Sequence, residues 1–427
     1  MPAVAVALVW LLSAGAWMLG RKRSRLAGNA EFRKSIDADG PLGWPGRLVV
    51  GVLLVLIAVR LASLLPDVVL RPLFAWDAWT VWAYTARAWA EVGAVFELLP
   101  PDRWLSAGAG EFVRDNLQPY PELVSSMFLW HVSLAGEWTG IGSGVFWGLA
   151  LIWIALVLYG TLRWSGLGVV WALGAVYAFV SLPIVNAHVA LHGYADLWVG
   201  SVLACFAGLL ILAERSGNKW LVLFAALLLL FLPALKLEGP YWLACGLAAI
   251  PFALFRIGLR WAFGLALLTL AGLWSAWWVD LDLVAMITGG RLAIDPSTIG
   301  SGLQGALRHA FVWSDWHLLV HGSLVALLAL LIRPQWGRKS PALVAFCLAA
   351  VVLIWGALPM TDAGDFMTTG TLFSRIFLHA APAMILLIIL TMHAFGGSSD
   401  RVGSRADSGD RGRDLFGPAV AQPNRNG

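Results

Sequence analysis

Long apolar runs, separated by short polar segments, recur along almost the whole chain. Many runs reach the ~18 to 20 residues that a helix needs to cross the hydrocarbon core of a bilayer. The pattern predicts an all-α protein, a polytopic transmembrane helical bundle of about eleven spans. The predicted spans are residues 3–19, 47–69, 144–162, 166–185, 195–213, 219–235, 240–255, 261–279, 316–332, 341–358 and 373–395.

Two stretches between the second and third spans have a different pattern. The segment WDAWTVWAYTARAWAEVG, residues 76–93, separates on a helix into a polar face and a tryptophan face, which is typical of a helix lying in the membrane interface. The apolar run 123–135 is too short to cross and is expected to lie along the interface or dip into it. The polar face of the first helix consists of Asp77, Thr80, Tyr84, Arg87 and Glu91, and the other face of Trp76, Trp79, Trp82, Ala86 and Trp89.

The basic residues predict how the spans are oriented. If 123–135 does not cross, the arginine and lysine clusters all fall on one face, which the positive-inside rule makes cytoplasmic. If it crosses, the orientation inverts from Arg163 onward. The first arrangement is preferred and predicts an external N-terminus and one long external loop over 70–143. The other external segments are then 186–195, 236–239, 280–315 and 359–372.

Composition agrees with a membrane protein and defines one further region. Of the 427 residues, 59% are hydrophobic and only 13% are charged. The net charge of +4 is small and its basic residues lie near span ends, which gives no case for nucleic-acid binding. Residues 396–427 are rich in Gly, Ser, Asp and Arg, and we predict a disordered cytoplasmic tail after a transmembrane domain over 1–395.

Acidic residues in the long loop are the first candidates for chemistry. Asp77 begins the first loop helix, where a carboxylate either complements the helix dipole or has a functional role. Glu122 begins the second, with the same two interpretations. Tyr120 stands between two prolines, so it is rigidly presented, either to stack on a sugar or to sit in the interface.

Two short external turns carry further polar residues. His188, His192 and Asp196 are spaced i, i+4 and i+8, which would suit a metal on one continuous helix, but Gly193 argues against that helix. Lys236 is followed by Glu238 at a span end. This lysine either reaches to the surface beside its counter-charge or binds a lipid phosphate.

The last span contains two basic side chains one turn apart. Arg375 and His379 share a face of an otherwise apolar helix, and a cation there is costly unless it faces the protein interior or an anion. Arg375 lies near the predicted external end, where the phosphate of a lipid carrier would sit. Snorkelling of the arginine to the membrane surface is the alternative.

Taken in order, these segments resemble the GT-C superfamily of integral-membrane glycosyltransferases, which includes protein O-mannosyltransferases and the lipid A aminoarabinose transferase. The resemblance rests on WDAWTVWAYTARA, QPYPELVSS, HGYADLW, LKLEGP and LFSRIFLHAAP, between about residues 47 and 395. It implies a large first external loop with two membrane-parallel helices, matching 77–96 and 119–135. It also implies transfer of a sugar from a polyprenyl-phosphate donor to a glycan, lipid or protein acceptor outside the cytoplasmic membrane.

The resemblance assigns roles to residues. A loop carboxylate acts at the acceptor and matches Asp77, while many members carry a second, adjacent acidic residue where this chain has Ala78. The second acidic role is then expected of Asp115 or Glu122. The donor phosphate is expected at Arg375, Lys236 and His379, and the substrate pocket at Tyr84, Tyr120, His192, Tyr194, Asp196 and Glu238.

The chemistry is consistent with these residue types. A carboxylate within hydrogen-bond reach serves as general base for an attacking hydroxyl, and fixed cations stabilise a departing phosphate. A monophosphate leaving group allows a divalent metal without requiring one. The rival hypotheses are a transporter or lipid flippase, which would favour internal repeats and charged residues near the midplane, and an inactive relative that serves as a membrane scaffold.

Overall fold

A computed structural model describes residues 42–108, 110–114, 120–136, 138, 142–255, 257–278, 294–295, 297–313, 316–338 and 340–409. The predicted span 3–19, the candidate acid Asp115 and residues 410–427 of the predicted tail lie outside the described residues. Over the described ranges the regular structure is helical, as the apolar pattern predicts.

The α-helices follow one another along the chain with short connections, and two β-bridges within the described ranges are isolated. Short π-helical turns occupy Ala78–Trp82 and Val352–Ala357. The α-helices are α1 (Trp44–Leu70), α2 (Ala83–Val92), α3 (Leu123–Ala135), α4 (Val145–Trp164), α5 (Val169–Val180), α6 (Pro183–Ala190), α7 (Asp196–Ser216), α8 (Lys219–Leu229), α9 (Leu232–Leu235), α10 (Gly239–Phe255), α11 (Leu259–Trp278), α12 (Ile299–Phe311), α13 (Leu319–Ile332), α14 (Pro341–Val351), α15 (Gly364–Thr368) and α16 (Thr371–Gly409).

Several of these helices can cross a bilayer. Within the described residues, 5 helices are long and apolar enough, and the bent pair α5 and α6 makes a sixth. The chain is therefore a membrane protein with 5 to 6 candidate spans, and the predicted number of about eleven is not confirmed. The five are Trp44–Leu70, Val145–Trp164, Asp196–Ser216, Pro341–Met360 and Thr371–Phe395.

Prolines explain why two predicted spans are not single helices. The predicted span 166–185 stops at Val180, and the chain bends by 60° before Pro183 starts the next helix. The predicted span 219–235 is interrupted after Leu229, and Pro233 lies in the first turn of the short helix that follows. Proline lacks an amide hydrogen and restricts the residue before it, so it is favoured where a helix begins.

Helices α7 and α16 form the centre of the bundle. Both are mostly buried, and α7 packs against α4, α8 and α16. Helix α1 lies at the periphery, with most of its apolar side chains exposed. An exposed apolar helix of this length is expected where the neighbour is lipid, because lipid tails are as apolar as the side chains.

The loop 70–143 contains the two predicted helices, but the tryptophan face is arranged differently. Trp76 and Trp79 are exposed, whereas Trp82 and Trp89 are fully buried. A π-turn adds one residue to a helical turn, so the side chains beyond Ala78–Trp82 rotate away from their predicted face. Only the first two tryptophans are thus available to a membrane interface.

Two further differences concern helices that extend into predicted loops. Helix α12 occupies part of the predicted external segment 280–315, and its glycines pack closely: a Cβ on Gly305 would come within 2.6 Å of the Met367 carbonyl. The sequence did not predict this helix, because its glycines are unfavourable in a helix without such packing. Helix α16 continues past the predicted end at 395 as far as Gly409.

Candidate functional site

Charged side chains from four separate parts of the chain meet at the ends of helices. They come from the start of the first loop helix, the start of α7, the turn between α9 and α10, and the first turns of α16. The sequence predicted all four segments on the same face of the membrane. The group contains Asp77, Asp196, Lys236, Glu238, Arg375 and His379, and is called the charged cluster below.

Asp196 is the centre of the charged cluster and has no exposed surface. Its Oδ1 accepts hydrogen bonds from Lys236 Nζ at 2.7 Å and from His379 Nε2 at 2.9 Å. Its Oδ2 accepts one from Arg375 Nε at 3.0 Å. A carboxylate buried among apolar helices is stable only with such partners, so Asp196 holds the ends of α7, α10 and α16 together.

His379 is neutral in this arrangement. The indole nitrogen of Trp242 donates to His379 Nδ1 at 2.7 Å, and an indole N–H can only donate. Nδ1 is therefore the unprotonated nitrogen, and Nε2 carries the hydrogen that is donated to Asp196. Both ring nitrogens are occupied and the side chain is fully buried, so His379 is not presented to a phosphate.

Lys236 is buried as well, contrary to the alternative that it reaches the surface. Its ammonium lies 2.7 Å from Asp196 Oδ1 and 3.1 Å from Glu238 Oε1. Burial alone would raise the pKa of Glu238, but the charges of Lys236 and Arg375 outweigh burial and lower that pKa. Lys236 is thus committed to two carboxylates, whereas the sequence predicted that it binds the donor phosphate.

Arg375 and Asp77 form the accessible edge of the charged cluster. Arg375 Nη2 donates to Asp77 Oδ2, and the guanidinium lies 4.8 Å from the centre of the Tyr194 ring. Asp77 makes no side-chain capping hydrogen bond, and its carboxylate pairs instead with Arg375. Arg375 is turned into the protein and paired, so it does not snorkel. The side chains of Arg375 and Asp77 remain 23% and 17% exposed, so a ligand can reach this pair.

Two glycines allow the segments to approach. Gly193 has a φ of 116°, and a Cβ there would collide with the Cβ of Ala78, next to Asp77. A Cβ on Gly239 would collide with the backbone of Leu232, across the break between α9 and α10. Glycine is therefore required where the chain brings Tyr194 and Glu238 to the charged cluster.

Two tyrosines border the cluster. Burial, followed by the charges of Glu238 and Asp77, raises the pKa of Tyr120 to about 12. Burial and the charge of Asp77 also raise the pKa of Tyr194. Both hydroxyls stay protonated at neutral pH and act as hydrogen-bond donors or acceptors. The predicted placement of Tyr120, Tyr194, Asp196 and Glu238 near one site agrees with this geometry.

The charged cluster has a buried layer and an accessible layer. Asp196 and His379 have no exposed surface and Lys236 is 3% exposed at its side chain, whereas Asp77, Glu238 and Arg375 are each about one-fifth exposed. Three carboxylates oppose two cations, so the cluster carries one net negative charge. Both cations are already paired with carboxylates, so a bound anion would compete with a carboxylate for one of them.

A small polar cavity of about 50 Å³ lies on the loop side of Tyr120. It is lined by Glu97, Arg114 and Glu122 among others. Glu122 makes no capping hydrogen bond, and burial together with the charge of Glu97 raises its pKa. Glu122 therefore belongs to this cavity and not to the charged cluster, where Asp196 and Glu238 are the carboxylates that accompany Asp77.

A second cavity, of about 300 Å³, is apolar and lies between the helices α10, α11 and α14. Side chains such as Cys245, Phe252 and Leu348 line it, and Tyr241 stands near its polar end. The Tyr241 amide donates to the Glu238 carbonyl, so this end of the cavity is one helical turn from the charged cluster. Such a cavity accommodates an apolar chain.

The histidine pattern that suggested a metal does not form one ligand face. Helix α6 ends at Ala190 and α7 begins at Asp196, so His188, His192 and Asp196 do not share a helix. His192 lies between Trp147 and Gly144, away from the substrate pocket predicted for it. The part of the chain that the structure describes contains no group of three or more metal-ligating side chains.

Some residues at the site were not expected from the sequence. Trp242, Glu97 and Arg114 were missed because an aromatic residue in a span and charges in a loop are common. Tyr84 was expected in the pocket and lies half-buried in α2. The signal available for Trp242 was its position six residues after Lys236, in the first turn of the helix that follows.

Three features determine what the charged cluster can do. It presents the carboxylates of Asp77 and Glu238 and the guanidinium of Arg375 to a ligand, it anchors the guanidinium on the buried Asp196, and it lies near an apolar cavity between helices. These features suit a general base and an anion site at a membrane boundary. No family model, no curated protein and no solved structure matches this chain.

Proposed function

We propose that the protein is a GT-C-type membrane glycosyltransferase, which moves a sugar from a polyprenyl-phosphate donor to a hydroxyl of an extracytoplasmic glycan, lipid or protein. The observation that carries this proposal is the contact between Asp77 and Arg375 at the accessible edge of the charged cluster. It places the two groups that such a transfer needs, a base and a cation, side by side.

In the proposed reaction, the donor phosphate binds Arg375 in place of Asp77. Asp77, released from its partner, accepts the proton of the acceptor hydroxyl while that oxygen forms a bond to the anomeric carbon. The bond from this carbon to the phosphate oxygen breaks, and its electron pair stays on the phosphate, where Arg375 balances the charge. Asp196 keeps hold of the arginine through Nε and so preserves its position.

The surroundings support a lipid-linked donor and a polar acceptor. The apolar cavity between α10, α11 and α14 would take the prenyl chain, since it lies within the spans and begins one turn from Glu238. The polar cavity with Glu97, Arg114 and Glu122 would take hydroxyl groups of the acceptor from the aqueous side.

The proposal includes the topology that this reaction requires. About eleven spans in the cytoplasmic membrane, an external N-terminus and an external loop over 70–143 would place the charged cluster on the outer face. The shorter apolar helices, such as Lys219–Leu235 and Gly239–Phe255, would supply the additional crossings as broken or tilted segments. The exposed Trp76 and Trp79 would lie at headgroup depth.

The test replaces the carboxylate of Asp77 with an amide of the same shape. In a strain that lacks the protein, we expect Asp77→Asn to restore less than about 1% of the missing envelope sugar, because a general base contributes roughly 10²-fold or more. The matched control is Glu91→Gln, which removes an exposed carboxylate paired with Arg87 in the same loop. Mass spectrometry of envelope glycans measures both. Full restoration by Asp77→Asn at normal expression would remove Asp77 from the proposed role.

A second candidate function is an ion-coupled transporter. The observation that favours it is a buried ion-pair network where helices break, around Lys236 and Asp196, because transporters build their sites from interrupted helices. Uptake of a solute into proteoliposomes that is abolished by Asp196→Asn, without any sugar transfer, would select the transporter.

A further inference from the structure

His188 faces the charged cluster with an unused nitrogen. It lies in α6 and is 6% exposed. Its Nδ1 lies 2.9 Å from the Ile184 carbonyl oxygen, which can only accept, so Nδ1 carries the hydrogen. Its Nε2 has no hydrogen-bond partner among the described residues and lies 3.8 Å from Asp196 Oδ2.

The contact between His188 Nε2 and Asp196 Oδ2 is not a hydrogen bond in the described arrangement. A lone pair on Nε2 and a carboxylate oxygen are both acceptors, so neither satisfies the other in a buried site. The charged groups that face His188 are Asp196 from α7, Arg375 from α16 and Lys236 from the turn before α10. The Tyr194 ring packs against it with 5.3 Å between ring centres. A proton on Nε2 would convert the contact with Asp196 into an ion pair.

We infer that His188 is a positioning residue that takes up a proton and pairs with Asp196 Oδ2 when Arg375 binds an anionic phosphodiester. The inference rests on the proposed function, which supplies the phosphodiester. It does not make His188 a catalytic residue, because His188 acts through Asp196 and does not touch the reacting atoms.

The charge balance gives the reason for this proton. The charged cluster carries one net negative charge before binding, and a phosphodiester adds another. When the phosphodiester shares the charge of Arg375, the fully buried Asp196 Oδ2 keeps its hydrogen bond from Arg375 Nε but is less well neutralised. One proton taken from solvent by Nε2 returns the cluster to its original charge and gives Oδ2 a new partner.

Neighbouring groups cannot take the same role. His379 receives the Trp242 indole hydrogen at Nδ1 and already donates from Nε2 to Asp196. Lys236 is already charged and is held between Asp196 Oδ1 and Glu238. Of the basic side chains in or beside the charged cluster, His188 is the one that is uncharged and has a ring nitrogen without a hydrogen-bond partner within the described residues.

The first experiment counts protons. Calorimetric titrations with farnesyl methyl phosphate, in buffers of different ionisation enthalpy, give the number of protons exchanged on binding. This diester stays monoanionic near neutral pH, so each proton belongs to the protein. We expect uptake of about one proton by the wild type and about none by His188→Asn, whose amide keeps the hydrogen bond to Ile184.

The matched control is His321→Asn, the same substitution at an exposed histidine of α13. It is expected to take up about one proton, as the wild type does. Equal uptake by wild type and His188→Asn, or binding to the wild type without uptake, would overturn the inference. A diester that does not bind at all would count against the phosphate role of Arg375, and the second experiment then decides the role of His188.

The second experiment needs no ligand. In Arg375→Gln, Asp196 Oδ2 loses its cation permanently, so His188 should be protonated at neutral pH. Histidine ¹⁵N NMR distinguishes a protonated ring from the neutral Nδ1–H form, and the His188 signal is the one missing from the double variant with His188→Asn. A neutral His188 in Arg375→Gln between pH 6 and 7 would overturn the inference independently of sugar transfer.

Discussion

At the scale of single residues, Asp77 and Asp196 pair with the same arginine but differ in solvent exposure. Asp196 is fully buried and accepts from three donors, whereas Asp77 is 17% exposed and pairs with Arg375. A carboxylate that is released when a ligand takes its partner suits a base, and one that keeps its partners suits an anchor. The two aspartates therefore have different expected effects when they are neutralised.

We expect Asp196→Asn to lower the free energy of unfolding by about 3 to 5 kcal/mol, because it leaves Lys236 and Arg375 without their shared buried counter-charge. Asp77→Asn is the matched comparison and should cost less than half as much, since Arg375 keeps Asp196 and Asp77 is partly exposed. Thermal unfolding in detergent measures both variants. Equal losses would show that Asp196 does not anchor the charged cluster.

We expect His192 to make the stability of the protein depend on pH. Burial lowers its pKa from 6.5 to about 4, so it stays neutral in the folded protein while the unfolded chain becomes protonated. His192 therefore does not lower the free energy of unfolding above pH 6.5. As the pH falls from 6.5 towards 4, that free energy decreases by at most about 1.4 kcal/mol per pH unit. Unfolding of His192→Gln between pH 7 and 4 should be less pH-dependent than that of the wild type, while His321→Gln should match the wild type.

The sequence predicts which side chains are unusual but not how they pair. Lys236, Arg375 and Asp77 stand out because charges are rare in an apolar chain, and their positions near span ends predict a common face. Their partners depend on how the spans pack, which periodicity does not specify. From the sequence, Lys236 could therefore be interpreted equally well as a surface lysine, although it is buried between two carboxylates.

At the scale of helices, the site is built from interruptions. The connections 191–195 and 236–238 and the start of α16 each deliver a charged or aromatic side chain to the charged cluster. The sequence predicted these connections as external segments, but periodicity extended two spans across further breaks, which lie before Pro183 and Pro233. The π-turn Ala78–Trp82 has no sequence signature of this kind, so the rotation of Trp82 into the core could not be predicted.

Gly193 is the interruption whose effect is easiest to isolate. We expect Gly193→Ala to destabilise the protein by at least about 2 kcal/mol, since a Cβ there has both an unfavourable φ of 116° and a collision with Ala78. Gly217→Ala is the control: its φ is 70°, but a Cβ would meet nothing within 4 Å, so about 1 kcal/mol is expected.

Thermal unfolding separates these two effects, and the envelope-sugar assay adds a functional measurement. Gly193→Ala should also reduce sugar transfer, because the collision moves Ala78 and its neighbour Asp77 away from Tyr194. Transfer by Gly217→Ala should be unchanged. If both glycine variants behave alike, the close approach of the turn 191–195 to Asp77 does not matter for the site.

At the scale of the whole molecule, the charged cluster lies at the ends of the two most buried candidate spans, in α7 and α16, and so at one boundary of the bundle. Placing that boundary outside the cell depends on α3. This helix has 13 residues, or ~20 Å, against a hydrocarbon core of ~30 Å. It is therefore expected not to cross, which keeps the basic residues of the following connections in the cytoplasm.

Cysteine labelling tests this orientation. In a background without Cys205, Cys245 and Cys347, we expect a membrane-impermeant maleimide to label Ser106→Cys in intact spheroplasts and Ser216→Cys only after lysis. Both positions are exposed, so failure to react reports the membrane side and not burial. Labelling of both from outside would mean that α3 crosses and that the bundle after it is inverted. Because Asp77 precedes α3 whereas Asp196 and Arg375 follow it, the membrane would then separate Asp77 from Arg375, and the contact on which the proposed reaction depends could not form.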